Sequence, residues 1–304
     1  MNKLDKKGII TLTSSVLVFA FGLIGFSSML VQHNEDTSYS SWMNKLSDDT
    51  ALRDVSMPGS HDTMALYSIG NLAGQCQSLS LNDQLKLGVR FLDIRLKESN
   101  DQLKAVHGFI DQKATFSDIY LTTKVFLKNH PSEFIIMSIK EEADPSNSTV
   151  PFEQVLGEYY KDTIFLKDVH EVPNTIKDLR GKILLLSRYN NPTYGIPAYS
   201  NWKDSCSFLM EDTDIYVQDT YKISDSDTKK SEIVNCFNTS GHKLKINFLS
   251  AYKTNYIPPS YAPSAALDVN PWINIEISNY KDRGIVLYDF VSKSNMDAFF
   301  KGIL

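Results

Sequence analysis

The chain is poor in cysteine. Cys76, Cys206 and Cys236 are the three among 304 residues, and they are widely spaced. No Cys-x-x-Cys and no Cys/His cluster occurs, which excludes a structural zinc site of the usual ligand spacing. A single Cys206–Cys236 disulfide stays open as the less favoured reading. Positive charge is also in deficit: the net charge is −5, which argues against nucleic acid as a partner. No Gly-x-Gly-x-x-Gly follows any strand-like run, and that weighs against an open, doubly wound dinucleotide-binding sheet. From Trp42 onward there is neither an internal repeat nor a low-complexity linker.

Charge is missing altogether from Gly8 to Val31, and Lys3, Lys6 and Lys7 precede that run. A basic start followed by a long apolar stretch reads as an export signal. The run is long enough to span a bilayer. Its most apolar part, VLVFAFGLIGF, has the length of a signal-peptide core, and Gly25-Phe26-Ser27 would serve as a cleavage site. Residues 1–31 are thus expected to be a signal peptide or membrane anchor, with cleavage against anchoring left open. Residues 32–41 read as a polar spacer, and 42–304 as the folded domain. The mature protein is expected outside the cell, secreted or held on the outer face of the membrane.

In the folded part, strand-like and helix-like segments alternate. Strands are expected at Leu52–Ser56, Val89–Leu96, Phe134–Lys140, Lys182–Arg188, Ile215–Gln218, Leu244–Ser250 and Gly284–Asp289. Several are near-continuous apolar runs (GVRFLDIRL, FIIMSIK, KILLLSR, GIVLYDF), the pattern of strands buried on both faces of a parallel sheet. Thr115 and Asp118 have capping-box spacing at the head of a helix that runs to Asn129-His130-Pro131. Pro151 is placed at the first position of the next helix, and Asn270-Pro271 at the cap and first residue of another. Alternation over this length fits a single α/β domain of (β/α)8 barrel type.

Each expected strand ends in polar residues that do not belong in a core. His61 and Asp62 follow the first, in SMPGSHDTMALY. Asp93 and Arg95 lie near the end of the second, and His107 follows the short apolar stub LKAV. Lys140, Arg188, Asp219 with Tyr221, and Asp289 end the others. A barrel gathers its C-terminal strand ends around one mouth, so these scattered residues should converge. Any one alone would be an ordinary solvated side chain. Together they make a set of two histidines, three cations and four carboxylates. Two imidazoles with an arginine suit phosphodiester chemistry, one ring taking a proton, the other giving one, and the guanidinium holding phosphate oxygens. The acids come one per strand end, each beside a cation or histidine, and no carboxylate cluster is present to cage Ca²⁺ or Mg²⁺.

These residues resemble the bacterial phosphatidylinositol-specific phospholipases C. The resemblance runs from Trp42 nearly to the C-terminus. It is carried by SMPGSHDTM (56–64), LGVRFLDIRL (87–96), VHG (106–108), PSEFIIMSIKEE (131–142), GKILLLSRY (181–189), VQDTY (217–221) and GIVLYDF (284–290). It implies an irregular TIM barrel and cleavage of phosphatidylinositol to diacylglycerol and inositol 1,2-cyclic phosphate. By that resemblance His61 is the general base for the inositol 2-hydroxyl, and Asp289 orients and charge-stabilises it. His107 is the general acid, assisted by Asp62. Arg95, positioned by Asp93, binds the phosphate oxygens. Lys140, Arg188 and Asp219 hydrogen-bond inositol hydroxyls, and Tyr221 stacks on the ring. Eukaryotic relatives hold Ca²⁺ where Arg95 stands, so no metal or other cofactor is expected. The implied partner is a phosphatidylinositol-containing membrane, with glycosyl-phosphatidylinositol anchors as a second substrate and the enzyme acting as a monomer.

The chain departs from its relatives in lacking a tryptophan on the segment after the first strand. Tyr252, Tyr256, Ile257 and Tyr261 on a Tyr- and Pro-rich loop, with Ile69 and Leu72 after the first strand, are the candidates for membrane contact, and packing of the loop's aromatics within the loop stays open as an equal reading. Trp42 and Trp202 read as packing residues. Two other functions are weighed: a glycerophosphodiester phosphodiesterase-type barrel, disfavoured by Arg95, and a catalytically dead inositol-lipid-binding surface protein, disfavoured by the complete polar set.

Overall fold

The computed structural model describes residues 39–69, 74–254 and 262–304. The expected export segment and Leu72, Tyr256, Ile257 and Tyr261 lie outside them. Strands run in chain order β1 (Met57–Ser60), β2 (Phe91–Ser99), β3 (Gln102–His107), β4 (Ile110–Thr115), β5 (Ile135–Ser146), β6 (Ile183–Arg188), β7 (Ile196–Pro197), β8 (Ser207–Met210), β9 (Ile215–Gln218), β10 (Lys222–Ile223), β11 (Leu244–Phe248), β12 (Tyr252–Lys253) and β13 (Ile285–Tyr288). The helices are α1 (Leu81–Lys86), α2 (Phe116–Asn129), α3 (Phe152–Tyr160), α4 (Ser226–Asn238), α5 (Ala262–Glu276) and α6 (Lys293–Phe300).

The main sheet has the order β7-β6-β5-β2-β1-β13-β11-β9-β8, with the β3–β4 hairpin attached to β2. Neighbours from β7 through to β9 are parallel, and β8 returns antiparallel along β9. The curled sheet ends at β7 and β8, so this is an irregular TIM barrel left unclosed on one side. Its apolar runs are buried as a parallel sheet demands: Phe91, Leu92 and Ile94 of β2 and Ile183 to Leu186 of β6 are shielded from solvent. β1 is squeezed between β2 and β13. A Cβ on Gly59 would lie 3.0 Å from both Leu287 Cγ and Phe91 Cβ, so only glycine fits there without displacement.

Several local expectations shift. Leu52–Ser56 is not a strand: Leu52–Asp54 is a 3₁₀ turn and pairing begins at Met57. Pro58-Gly59, a turn signal in isolation, lies inside the central strand. Pro58 precedes the first β1–β2 pair, Gly59↔Phe91, while the N–H groups of Met57 and His61 face the other side and bond to Gly284 and Tyr288 carbonyls. The missing proline donor therefore breaks no ladder bond. The Thr115–Asp118 capping box forms as expected. Pro151 is the residue before α3 rather than its first. Asn270-Pro271 does not open a helix, because α5 already runs from Ala262 and carries Pro271 inside it. Val269, Ile273 and Ile277, at i, i+4 and i+8, are all buried, and that burial outweighs a local cost of about 3 kcal/mol for proline. No Cys206–Cys236 disulfide exists; Cys236 is buried on α4 against the Ile246 carbonyl and Cys206 is free. Tyr39 to Ser41, read as spacer, pack on the domain: Tyr39 stacks on Phe300 and the Ser40 carbonyl accepts from Arg90.

Candidate active site

A cavity of about 670 Å³ opens at the C-terminal ends of the parallel strands. Its walls include His61, Arg95, His107, Lys140, Arg188, Asp219, Tyr221 and Asp289. Asp62 and Asp93 lie buried beneath, at 1% and 0% exposure. All ten residues singled out in the sequence thus share one region, eight on its surface and two supporting it.

Strand register explains the first pair. β1 and β13 are parallel with Ser60 opposite Tyr288, so the next residues, His61 and Asp289, emerge side by side. His61 Nδ1 lies 2.7 Å from Asp289 Oδ1, and His61 Nε2 lies 2.8 Å from Arg95 Nη2. A guanidinium can only donate. Nε2 therefore carries the lone pair and Nδ1 the proton, which it donates to Asp289. Asp93, on the adjacent strand, organises the rest. Its Oδ2 accepts from the Asp62 backbone N–H at 3.0 Å and from Arg95 Nε and Nη2 at 3.3 and 3.2 Å. Its Oδ1 accepts from Arg188 Nη1 at 3.3 Å. Held between two guanidinium groups despite burial, the Asp93 carboxyl titrates well below the usual carboxylate range.

His107 arrives differently from the expected alternation. β3 runs antiparallel to β2, folding back so that its last residue reaches the mouth. His107 Nδ1 donates to the Gly74 carbonyl at 2.8 Å and lies 3.8 Å from Asp62 Oδ2. Burial pushes the Asp62 carboxyl up to about 6, although Arg95, His107 and His61 oppose the shift. For His61, burial disfavours the charged ring. The charge and hydrogen bond of Asp289 outweigh it, so His61 titrates above its ordinary 6.5. Across the cavity, Trp202 donates to Asp219 Oδ2 at 3.0 Å and carries the Arg188 guanidinium 3.5 Å above its ring. Tyr221 hydrogen-bonds Asp204 and packs 5.8 Å from Tyr252.

Residues 52–189 match the family described as phosphatidylinositol-specific phospholipase C, X domain. The 1-phosphatidylinositol phosphodiesterase of Listeria monocytogenes is 31% identical over 99% of this chain and 98% of its own. That of Staphylococcus aureus is 31% identical over 69% of this chain and 74% of its own. The chain belongs to the phosphatidylinositol-specific phospholipase C family. The solved phospholipase C of L. monocytogenes superposes with a TM-score of 0.71 at 28% identity, covering 86% of this chain and 98% of that one.

Sequence reasoning missed three features of this phospholipase C. Glu142 sits 3.7 Å from Arg95 Nη1 and 2.7 Å from Lys140 Nζ, and accepts from the Gly108 N–H. The EE pair within β5 was its signal, but nothing in the pattern told Glu141 from Glu142. Trp202, assigned to packing, is also a wall of the cavity. Phe109, at the tip of the β3–β4 hairpin next to the mouth, is 87% exposed. Of the expected membrane residues that are described, Ile69 is 54% exposed and Tyr252 half-buried.

The ligand atoms of His61, Cys76 and Asp289, and those of Asp62, Cys76 and His107, are close enough to meet a metal ion. The first trio is already committed: both nitrogens of His61 are engaged, one by Asp289 and one by a fixed cation, Arg95. Arg95 sets a fixed positive charge at this mouth.

Proposed function

We propose that the protein cleaves phosphatidylinositol to diacylglycerol and inositol 1,2-cyclic phosphate. The observation that carries the reading is the constellation of a base, a charge and an acid: His61 backed by Asp289, Arg95 between, and His107 beside Asp62.

When a phosphate enters, the Arg95 guanidinium turns from His61 Nε2 to the phosphoryl oxygens. The freed Nε2 takes the proton of the inositol 2-hydroxyl, and that oxygen attacks phosphorus. The bond from phosphorus to the diacylglycerol oxygen breaks, and His107 gives that oxygen a proton, replenished by way of Asp62. Asp289 balances the imidazolium formed at His61. Lys140, Arg188 and Asp219 select the head group through its hydroxyls, because a substrate lacking them leaves these polar groups unpaired. Tyr221 covers the ring face.

The enzyme acts at a membrane outside the cell after export through its N-terminal segment, and works as a monomer. Glycosyl-phosphatidylinositol anchors present the same inositol phosphodiester and are a second substrate. Ile69, Phe109 and Tyr252 form the described part of the rim that meets the lipid. Phosphorus NMR of phosphatidylinositol digests with chelator present tests the reading. The cyclic phosphate should be the first product. Inositol 1-phosphate as the first product, or turnover only after Ca²⁺ addition, would sink it.

A further inference from the structure

Cys76 has no part in the reaction above, yet its side chain lies between the two catalytic histidines. Its backbone is fixed from both directions, the N–H bonding the Ala65 carbonyl at 2.9 Å and the carbonyl accepting from Phe290 at 2.7 Å. The thiol is therefore held at the cavity floor, 1% exposed. The ligand atoms of Asp62, Cys76 and His107 lie within 4.8 Å of one another.

A second observation points to a cation here. Asp62 Oδ2 is buried and has no hydrogen-bond partner. Its nearest charged neighbours, Arg95 Nε at 3.6 Å and His107 Nδ1 at 3.8 Å, are beyond hydrogen-bonding range. Arg95 is meanwhile served by Asp93. A carboxylate oxygen left this way in the interior lacks a positive partner at bonding distance. His107 Nδ1 donates to the Gly74 carbonyl, the kind of contact that fixes a metal-binding imidazole, and Nε2 then keeps the lone pair.

We propose that Asp62, Cys76 and His107 bind a borderline-soft divalent cation of the Zn²⁺ class, and that this binding shuts the enzyme off. One oxygen, one sulfur and one nitrogen, with a fourth position open to the cavity, is a donor set that suits Zn²⁺ and not Ca²⁺ or Mg²⁺. Bond lengths of about 2.0–2.3 Å put tetrahedral ligands roughly 3.3–3.8 Å apart. The nitrogen now 3.8 Å from Asp62 is Nδ1, so the part-exposed His107 ring must turn to bring Nε2 to the ion as the three groups close up. The thiol gives up its proton to solvent on coordination. The ion then holds the nitrogen and carboxylate that the departing diacylglycerol needs. The shut-off rests on the proposed roles of His107 and Asp62; the binding does not.

Cobalt titration of the full chain reads the binding alone. Co²⁺ should give a thiolate-to-metal charge-transfer band in wild type that is lost in Cys76→Ser and weakened in His107→Ala. In parallel, Zn²⁺ should inhibit phosphatidylinositol cleavage by wild type reversibly, with chelator restoring it. Cys76→Ser should keep its basal activity and need at least about tenfold more Zn²⁺ for the same inhibition, the loss expected for one weakened ligand. No band in wild type, an equal band in Cys76→Ser, or equal Zn²⁺ sensitivity of the two would overturn the proposal. A chain that shows the band but does not cleave phosphatidylinositol would keep the metal site and refute the proposed function instead.

Discussion

Arg90 leads into β2 and Arg95 lies at its middle, so one strand sets one guanidinium at its start and another beside the cavity. Their surroundings differ in one respect. Arg90 is saturated: it donates to Glu133 at 2.9 Å and to the carbonyls of Leu85, Val89 and Ser40 at 2.7 to 2.8 Å, and its plane covers Phe126. Arg95 shares Asp93 and His61, and its Nη1 has nothing nearer among charged partners than Glu142 at 3.7 Å. Around it Asp62, Arg188 and Asp289 each keep a buried atom without a hydrogen bond, whereas neither Arg90 nor Glu133 does. A buried ion network that closes on itself holds the fold. One that leaves directed donors and acceptors open is waiting for a ligand.

The largest expected effect sharpens the mouth side of that contrast. Replacing His61 or His107 by Ala should each cut turnover about 10²–10⁴-fold with thermal unfolding unchanged. Either variant keeping a tenth of wild-type activity would remove that histidine from the reaction. Next, the two arginines should fail in opposite ways. Arg90→Ala strands Glu133 in the interior and should cost about 3–5 kcal/mol in urea unfolding. Arg95→Ala should unfold much as wild type does but lose about 10²–10³-fold in kcat, the scale of a deleted transition-state donor. If Arg95→Ala were the less stable of the two, the contrast would break.

A smaller effect concerns pH. Asp289 is what lifts His61 above 6.5. The acid limb of kcat/KM should lie above that pH in wild type, since protonation removes the base. Asp289→Asn should lower the rate and move the limb to lower pH; a limb that stays in place would detach His61 from it. At the rim, Phe109→Ser should weaken vesicle binding by a few-fold at most, on the order of the 1–3 kcal/mol for full burial discounted for partial insertion. Hydrolysis of soluble inositol cyclic phosphate should not follow it down. The smallest effect is none at all: EDTA should leave turnover undiminished, and a loss restored by Ca²⁺ would contradict charge supply by Arg95.

The barrel was legible because its apolar runs are continuous, and a strand buried on both faces permits little else. The site was legible because PGSHD, DIR and VHG carry polar residues where those runs end. What escaped follows from burial that a local pattern does not encode. Pro58-Gly59 signals a turn, yet close packing by Leu287 and Phe91 makes it a strand. Asn270-Pro271 signals a helix start, yet apolar contacts carry α5 through it, and Asn270 bonds the Asp289 carbonyl instead. The β3–β4 hairpin was missed because an antiparallel return interrupts the expected alternation. Trp202 and Glu142 had no spacing signal, since they acquire meaning only through Arg188, Asp219, Arg95 and Lys140, which are distant in sequence.

If His61 is the base proposed above, its 2.8 Å contact with Arg95 works as an interlock. While the guanidinium holds the imidazole lone pair, a hydroxyl that wanders into the cavity finds no base to take its proton. An anion drawing the arginine away is the key that opens it. On that reading, free inositol, which carries no phosphate, would leave the site locked. Water would meet the same lock, so the pocket would not idle as a hydroxide source and the chemistry would start only with the phosphodiester.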